Sequence, residues 1–261
     1  MKNSFSLLLI ILAVACSNQA GNTTGPGSDS NGIAGKPQEV VASADDCGNS
    51  LLFRKGAEIS TNSYDGQGKL TSKQVSTVSK VYREGGMTLS ELVMKNTDGN
   101  AANEKTFTAT YKCDGKLLYV DLSGVLSDAG KTKLETTGLQ FPFAAAVGDT
   151  LPDVNYSMNM SAGGKTTKLV SHIKERKVEA KESVTTPAGT FDCYKISSVI
   201  EAEMEMAGMD EESRKIMDAV KKKMGKNIMT FWYAPAVTII KMEYRTGDKL
   251  VMRSEVTNIK K

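Results

Sequence analysis

The strongest constraint on the fold is a series of runs in which apolar and polar residues alternate one for one, each cut off by Gly, Asp or Asn. A period of two puts one face of an extended strand into a core and the other into water, the habit of antiparallel sheets. The clearest case is Asn155 to Ser161, with Val154 just before it. Val154, Tyr156, Met158 and Met160 fall on one face; Asn155, Ser157, Asn159 and Ser161 fall on the other. Phe191 to Met206 repeats the pattern, with Tyr194, Ile196, Ile200, Ala202, Met204 and Met206 opposite Lys195, Glu201, Glu203 and Glu205. Further strands are predicted over Glu58 to Tyr64, Leu70 to Tyr82, Met87 to Thr97, Glu104 to Cys113 and Lys116 to Leu122. Others follow over Lys131 to Gln140, Lys165 to Ser183, Asn227 to Tyr233, Ala236 to Thr246 and Lys249 to Asn258. In the second of these strands Val75 and Val81 share a face. Asp65-Gly66-Gln67-Gly68, Gly85-Gly86, Asp114-Gly115, Gly163-Gly164 and Gly247-Asp248 supply hairpin turns. The fold class is mainly β.

One segment breaks the period. Ile216, Met217, Val220 and Met224 recur at helical spacing within Asp210 to Met224. Asp210, Glu211 and Glu212 open the segment, Lys221, Lys222 and Lys223 close it, and Gly225 follows. Acid first, base last and a terminal glycine suit the helix dipole and its C-cap. A single helix inserted between late strands is therefore expected, its apolar stripe covering the sheet as core or as a lid.

The amino terminus fixes a compartment. After Lys2, an apolar run from Phe5 to Ala15 is too short to span a bilayer and reads as a signal peptide over residues 1–15. Leu12-Ala13-Val14-Ala15-Cys16 resembles the lipobox of bacterial lipoproteins, which implies cleavage before Cys16 and lipidation of that residue. Ser17 follows, not the aspartate that in some bacteria signals inner-membrane retention. A lipid anchor in the outer membrane, facing the periplasm or the cell exterior, is the expected location. Residues 16–46 hold the lipidated cysteine and a tether rich in Gly, Ser, Asn and Thr that cannot bury a core. Residues 47–261 form one β-rich domain. No second apolar run approaches spanning length, so lipid is the only membrane attachment expected.

Composition narrows the chemistry. Lys and Arg number 33 against 30 Asp and Glu, a balance that gives no electrostatic footing for nucleic acid. His172 is the only histidine, which excludes a zinc site built on histidines. No Gly-x-Ser-x-Gly elbow accompanies it for serine hydrolysis. Gly164-Lys165-Thr166 lacks the earlier glycine of a phosphate-binding loop and lies between strands. Asn96, Asp98, Asn100 and Asn103 lack the glycine and closing glutamate of a calcium loop. The expectation is a non-catalytic protein with no cofactor and no metal. Outside the membrane, Cys47, Cys113 and Cys193 can form one disulfide in three ways. Cys47–Cys113 is favoured because Cys47 precedes the first strand and Cys113 ends a strand beside a turn, whereas Cys193 lies inside one; the other two pairings stay open.

Two stretches carry a family likeness. They are Thr185-Thr186-Pro187-Ala188-Gly189-Thr190-Phe191-Asp192-Cys193-Tyr194-Lys195-Ile196 and Phe231-Trp232-Tyr233-Ala234-Pro235-Ala236-Val237-Thr238-Ile239-Ile240-Lys241-Met242-Glu243. Together they resemble the TapB-like family of uncharacterised bacterial lipoproteins. The resemblance implies a curved antiparallel sheet, half-barrel or barrel-like, akin to lipoprotein-localisation factors, and no catalytic residue. The chain has 13 methionines, and flexible, polarizable methionine suits adaptable apolar binding. Met158, Met160, Met204, Met206, Ile240, Met242 and Tyr244 form the candidate face for a lipid or other apolar ligand, with Ile216, Met217, Val220 and Met224 as its lid. The alternative is an envelope module with a solid core that binds another protein.

Overall fold

The computed structural model describes residues 46–98, 104–121, 134–136, 138–162, 165–206, 211, 215 and 226–261. Its strands are β1 (Glu58–Asp65), β2 (Leu70–Glu84), β3 (Met87–Asp98), β4 (Glu104–Cys113), β5 (Leu117–Asp121), β6 (Leu134–Thr136) and β7 (Leu139–Pro142). They continue as β8 (Val154–Ala162), β9 (Lys165–Thr186), β10 (Gly189–Met206), β11 (Asn227–Ala234), β12 (Thr238–Thr246) and β13 (Lys249–Lys260). All pair antiparallel in one sheet, in the order β6-β8-β9-β10-β11-β12-β13-β1-β2-β3-β4-β5-β7. The sheet curls into a nearly closed barrel.

Sequence neighbours pair with one another almost everywhere, so each turn sends the chain straight back. Gly189 at φ 131° follows the Pro187-Ala188 corner between β9 and β10. Pro235 sits in the corner between β11 and β12, as its fixed φ and missing N–H require. The inward faces merge into one continuous apolar core that runs from Leu52 and Phe53 through Val78, Leu92, Phe141, Ile196, Phe231 and Ile240 to Val256.

Three details depart from the alternation of the sequence. Lys131 to Gln140, expected as one strand, holds two described strands on opposite edges of the sheet. Leu134 pairs with Met158 in β8, whereas Leu139 pairs with Val120 in β5. Gly138, at φ 79°, makes the break between them. In β2 the register slips between Val78 and Lys80, so Ser76, Val78 and Val81 are buried while Val75 turns to the other face. In β9 the residues facing Ser198 of β10 are one too many, and Glu175 takes φ 52°. This bulge inverts the parity of the strand. Ile173 is buried before it, and Arg176 and Val178 are buried after it.

The last slip closes the barrel. The segment leaving β7 runs alongside the half of β9 that β8 does not reach. Gly148 N–H donates to Val178 O at 2.8 Å, Val178 N–H to Asp149 O at 2.9 Å, and Leu151 N–H to Arg176 O at 2.8 Å. Arg176, 1% exposed, donates from Nη1 to Pro152 O at 2.9 Å and from Nη2 to Gln140 O on edge strand β7 at 2.7 Å. Its guanidinium stacks 5.7 Å from the Phe141 ring centroid. Burial lowers its pKa to about 10, so it remains charged at neutral pH.

The helix expected over Asp210–Met224 lies outside the described residues, apart from Glu211 and Lys215. Both have helical backbone and pair at 2.7 Å. The stripe Ile216, Met217, Val220 and Met224 is not described. Among the described residues helical structure is otherwise confined to α1 (Asp46–Asn49) and a single turn at Leu51–Phe53, and none is long and apolar enough to cross a membrane.

Candidate functional site

An antiparallel barrel has two ends, and here they differ. Cys47, where the described chain enters, forms a disulfide with Cys113 at the end of β4, with Cα atoms 5.9 Å apart. The next residues fold into the barrel mouth. Leu51, Leu52 and Phe53 are all buried, and Leu51 N–H donates to Ala236 O in the β11–β12 corner at 2.9 Å. Gly56 and Ala57 then exchange backbone hydrogen bonds with Val78, both at 2.9 Å. This end, which also carries the corners at Gly85-Gly86, Asp114-Gly115 and Pro187-Ala188, is plugged.

The opposite end carries the β1–β2 and β12–β13 turns, the end of β8 and start of β9, and the end of β10 at Met206 and start of β11 at Asn227. The register concentrates methionines there. Met158 of β8 and Met204 of β10 both pair with Leu169 of β9, and Met160 and Met206 both pair with Thr167. These positions have the parity of Val154, Ile173 and Ile200, which pair in one row and are buried. The side chains of Met158, Met160, Met204 and Met206 lie outside the description.

The rest of the predicted face is packed. Ile240, Met242 and Tyr244 of β12 are 0%, 4% and 5% exposed and belong to the continuous core. Tyr244 lies in register between Met229 and Met252. Burial raises the phenol pKa of Tyr156 on β8; a hydrogen bond with Ser171 opposes the shift, and Tyr244 adds to it across the interior. The register thus sets two methionine rows on β8 and β10 and a second group, Met229, Met242, Tyr244 and Met252, on β11 to β13. Cys16 lies outside the described residues. Cys193 is a buried free thiol, its pKa raised to about 11 chiefly by burial, so it stays protonated and unreactive.

Sequence reasoning missed two features. Leu51-Leu52-Phe53 is a short apolar run with no period, and only the disulfide hints that it packs. Arg176 sits in the charged run Glu175-Arg176-Lys177 and reads as part of a wet face. The outward residue of the Phe231-Trp232-Tyr233 motif also has a defined place. Trp232 lies between Lys195 and Lys241, whose ammonium groups are 5.6 and 4.4 Å from its ring, and its indole N–H donates to Glu182. Phe231 and Tyr233 pack inward against Phe141. No three of His, Cys, Asp and Glu gather as a metal set among the described residues.

The family match spans residues 54–256, nearly all of the barrel. The chain belongs to the DUF3108-like family. Two solved structures share the fold of this DUF3108-like barrel. One, from Bacteroides fragilis, is classed as an exported protein with a YmcC-like fold; it is 21% identical, with a TM-score of 0.57 over 80% of this chain and 97% of its own. The other, from Parabacteroides distasonis, is classed as a lipoprotein; it is 18% identical, with a TM-score of 0.57 over 80% of this chain and 96% of its own. No curated protein matches the chain.

Proposed function

We propose that this DUF3108-like protein is a non-catalytic, TapB-like envelope lipoprotein. In this reading it is anchored at Cys16 in the outer membrane and takes up an apolar, acyl-type ligand at the barrel end away from its tether. The observation that carries the reading is the polarity of the barrel. The chain enters at the plugged, disulfide-bonded end, while the methionine rows, the end of β10 and the start of β11 lie at the other. A tether of roughly thirty residues reaches about 30 Å, enough to hold that second end clear of the headgroups. The lipobox-like Leu12 to Cys16 supports the anchor, and the exported and lipoprotein classes of the two similar structures agree with it.

The test is native mass spectrometry with lipid extraction on the full chain carrying Cys16→Ser. A co-purifying acyl ligand, lost when Met204 and Met206 become Asp in a variant that still folds, supports the reading. A second reading, an interaction module whose partner is another envelope protein, is favoured by the unbroken packing of Ile240, Met242 and Tyr244 into the core. A domain that retains no ligand leaves that reading in place.

A further inference from the structure

The inward face of β1, β2 and β3 changes character along its length. Near the plug it is aliphatic, with Ile59, Val78 and Leu92 buried. Toward the other end the same face carries Thr61 and Ser63 on β1, Ser72, Gln74 and Ser76 on β2, and Asn96 on β3. The register holds this patch together. Gln74 pairs with both Thr61 and Asn96, and Ser72 pairs with Ser63. Ser72, Ser76 and Asn96 are only 9%, 8% and 7% exposed. Gln74 Nε2 donates to Ser76 Oγ at 3.1 Å, whereas the hydroxyls of Thr61, Ser63 and Ser72 make no hydrogen bond among the described residues. A dry core carries its apolar alternation through, because a polar group buried without a partner is costly. A patch of inward hydroxyls and amides is instead the lining of a space that takes up polar atoms. At this same end β8 to β11 stay apolar, with Val154, Ile173, Ile200 and Met229 buried.

We infer that the ligand of this end is an acyl chain carrying an uncharged, hydroxyl-bearing head, the class of monoacylglycerols and alkyl glycosides. The chain lies on the apolar wall of β8 to β11, and the head hydrogen-bonds to the polar patch of β1 to β3. The inference rests on the acyl reading above and names which acyl amphiphile fits. Serine, threonine, glutamine and asparagine side chains both donate and accept, as a hydroxyl does, and carry no charge. Beyond the patch, in register with Ser72 and Asn96, stand Asp98 and Lys105, one of each sign. No net positive charge therefore awaits a carboxylate or a phosphate, and a charged head taken inside would lose its hydration without an ionic partner. A site built to hydrogen-bond a hydroxyl also rejects an analogue that lacks it, because its own buried polar groups are then left unpaired.

The experiment is displacement of the fluorescent apolar probe N-phenyl-1-naphthylamine from the full Cys16→Ser chain at neutral pH. Monolauroylglycerol and laurate, which share one acyl chain and differ in the head, are compared below their micellar concentrations. The expected result is a preference of at least about tenfold for monolauroylglycerol, the worth of one net hydrogen bond. Ser72→Val with Gln74→Leu should abolish that preference by weakening monolauroylglycerol while leaving laurate unchanged. Should the double variant not fold, Thr61→Val, which keeps the side-chain shape and removes only the hydroxyl, must by itself shrink the preference. Laurate binding as tightly as monolauroylglycerol, or a preference undiminished in these variants, overturns the inference and leaves the acyl reading standing. Displacement by neither compound overturns both.

Discussion

Replacing Cys47 and Cys113 together by Ala should destabilise the barrel strongly and in a predictable place. The bridge closes a loop with a sequence separation of 66. In the chain-entropy picture, removing it returns about 4 kcal/mol of freedom to the unfolded chain at 25 °C. Alanine avoids leaving buried hydroxyls where both cysteines are 1% exposed. Spread over the unfolding entropy of a domain of roughly 215 residues, that loss lowers Tm by about 9 °C. Calorimetry gives the shift, and hydrogen exchange locates it. The amides of Leu51 and Gly56, bonded to Ala236 and Val78, should lose protection first, because the plug is then held only by packing and by these hydrogen bonds. A Tm drop under about 2 °C, well below the chain-entropy range, with unchanged protection of Leu51 would refute the idea that the bridge pins the plug.

Two further perturbations test the seam and the outer face. Arg176→Met removes the donors to Gln140 and Pro152 and should speed exchange of the Gly148, Leu151 and Val178 amides while leaving Ile196 and Phe231 protected; uniform protection across both groups would contradict a seam bolted by Arg176. Glu243 is raised by burial but held below its ordinary pKa overall by hydrogen bonds and charge from Lys241 and Arg245, with ion pairs of 2.7 and 3.1 Å. A depressed carboxylate stabilises above its unfolded pKa and loses that benefit as pH falls through the folded value. Glu243→Gln should therefore cost about 1 kcal/mol at neutral pH, and the gap from the parent should close in acid, below the ordinary carboxylate value; a gap that persists there in urea melts would exclude the charge effect.

The strands were legible because their period is visible residue by residue. β1, β3, β4, β8 and β11 follow their alternating runs closely. What stayed hidden were the places where the backbone slips by one residue. A bulge at Glu175 turns Arg176 from a wet face into the barrel wall, and the slip after Val78 separates Val75 from Val81; neither carries a proline or glycine signal in the sequence. Closure depends on residues 148–151 meeting β9, a contact between distant segments that no local pattern encodes. Of the candidate site, the Met158 and Met204 rows could be read from period two. That Met-x-Met motifs two strands apart share a register requires the pairing of β8, β9 and β10.

The two-ended architecture is tested most directly by photo-crosslinking the full Cys16→Ser chain with a diazirine-bearing fatty acid and mapping the labelled peptides. Label on the ends of β8 and β10 around Met158 to Met160 and Met204 to Met206, with none on Leu51 to Ala57, is the predicted result. Label at the plugged end, or a labelling pattern unchanged when Met204 and Met206 become Asp, would contradict a ligand site at the end away from the tether.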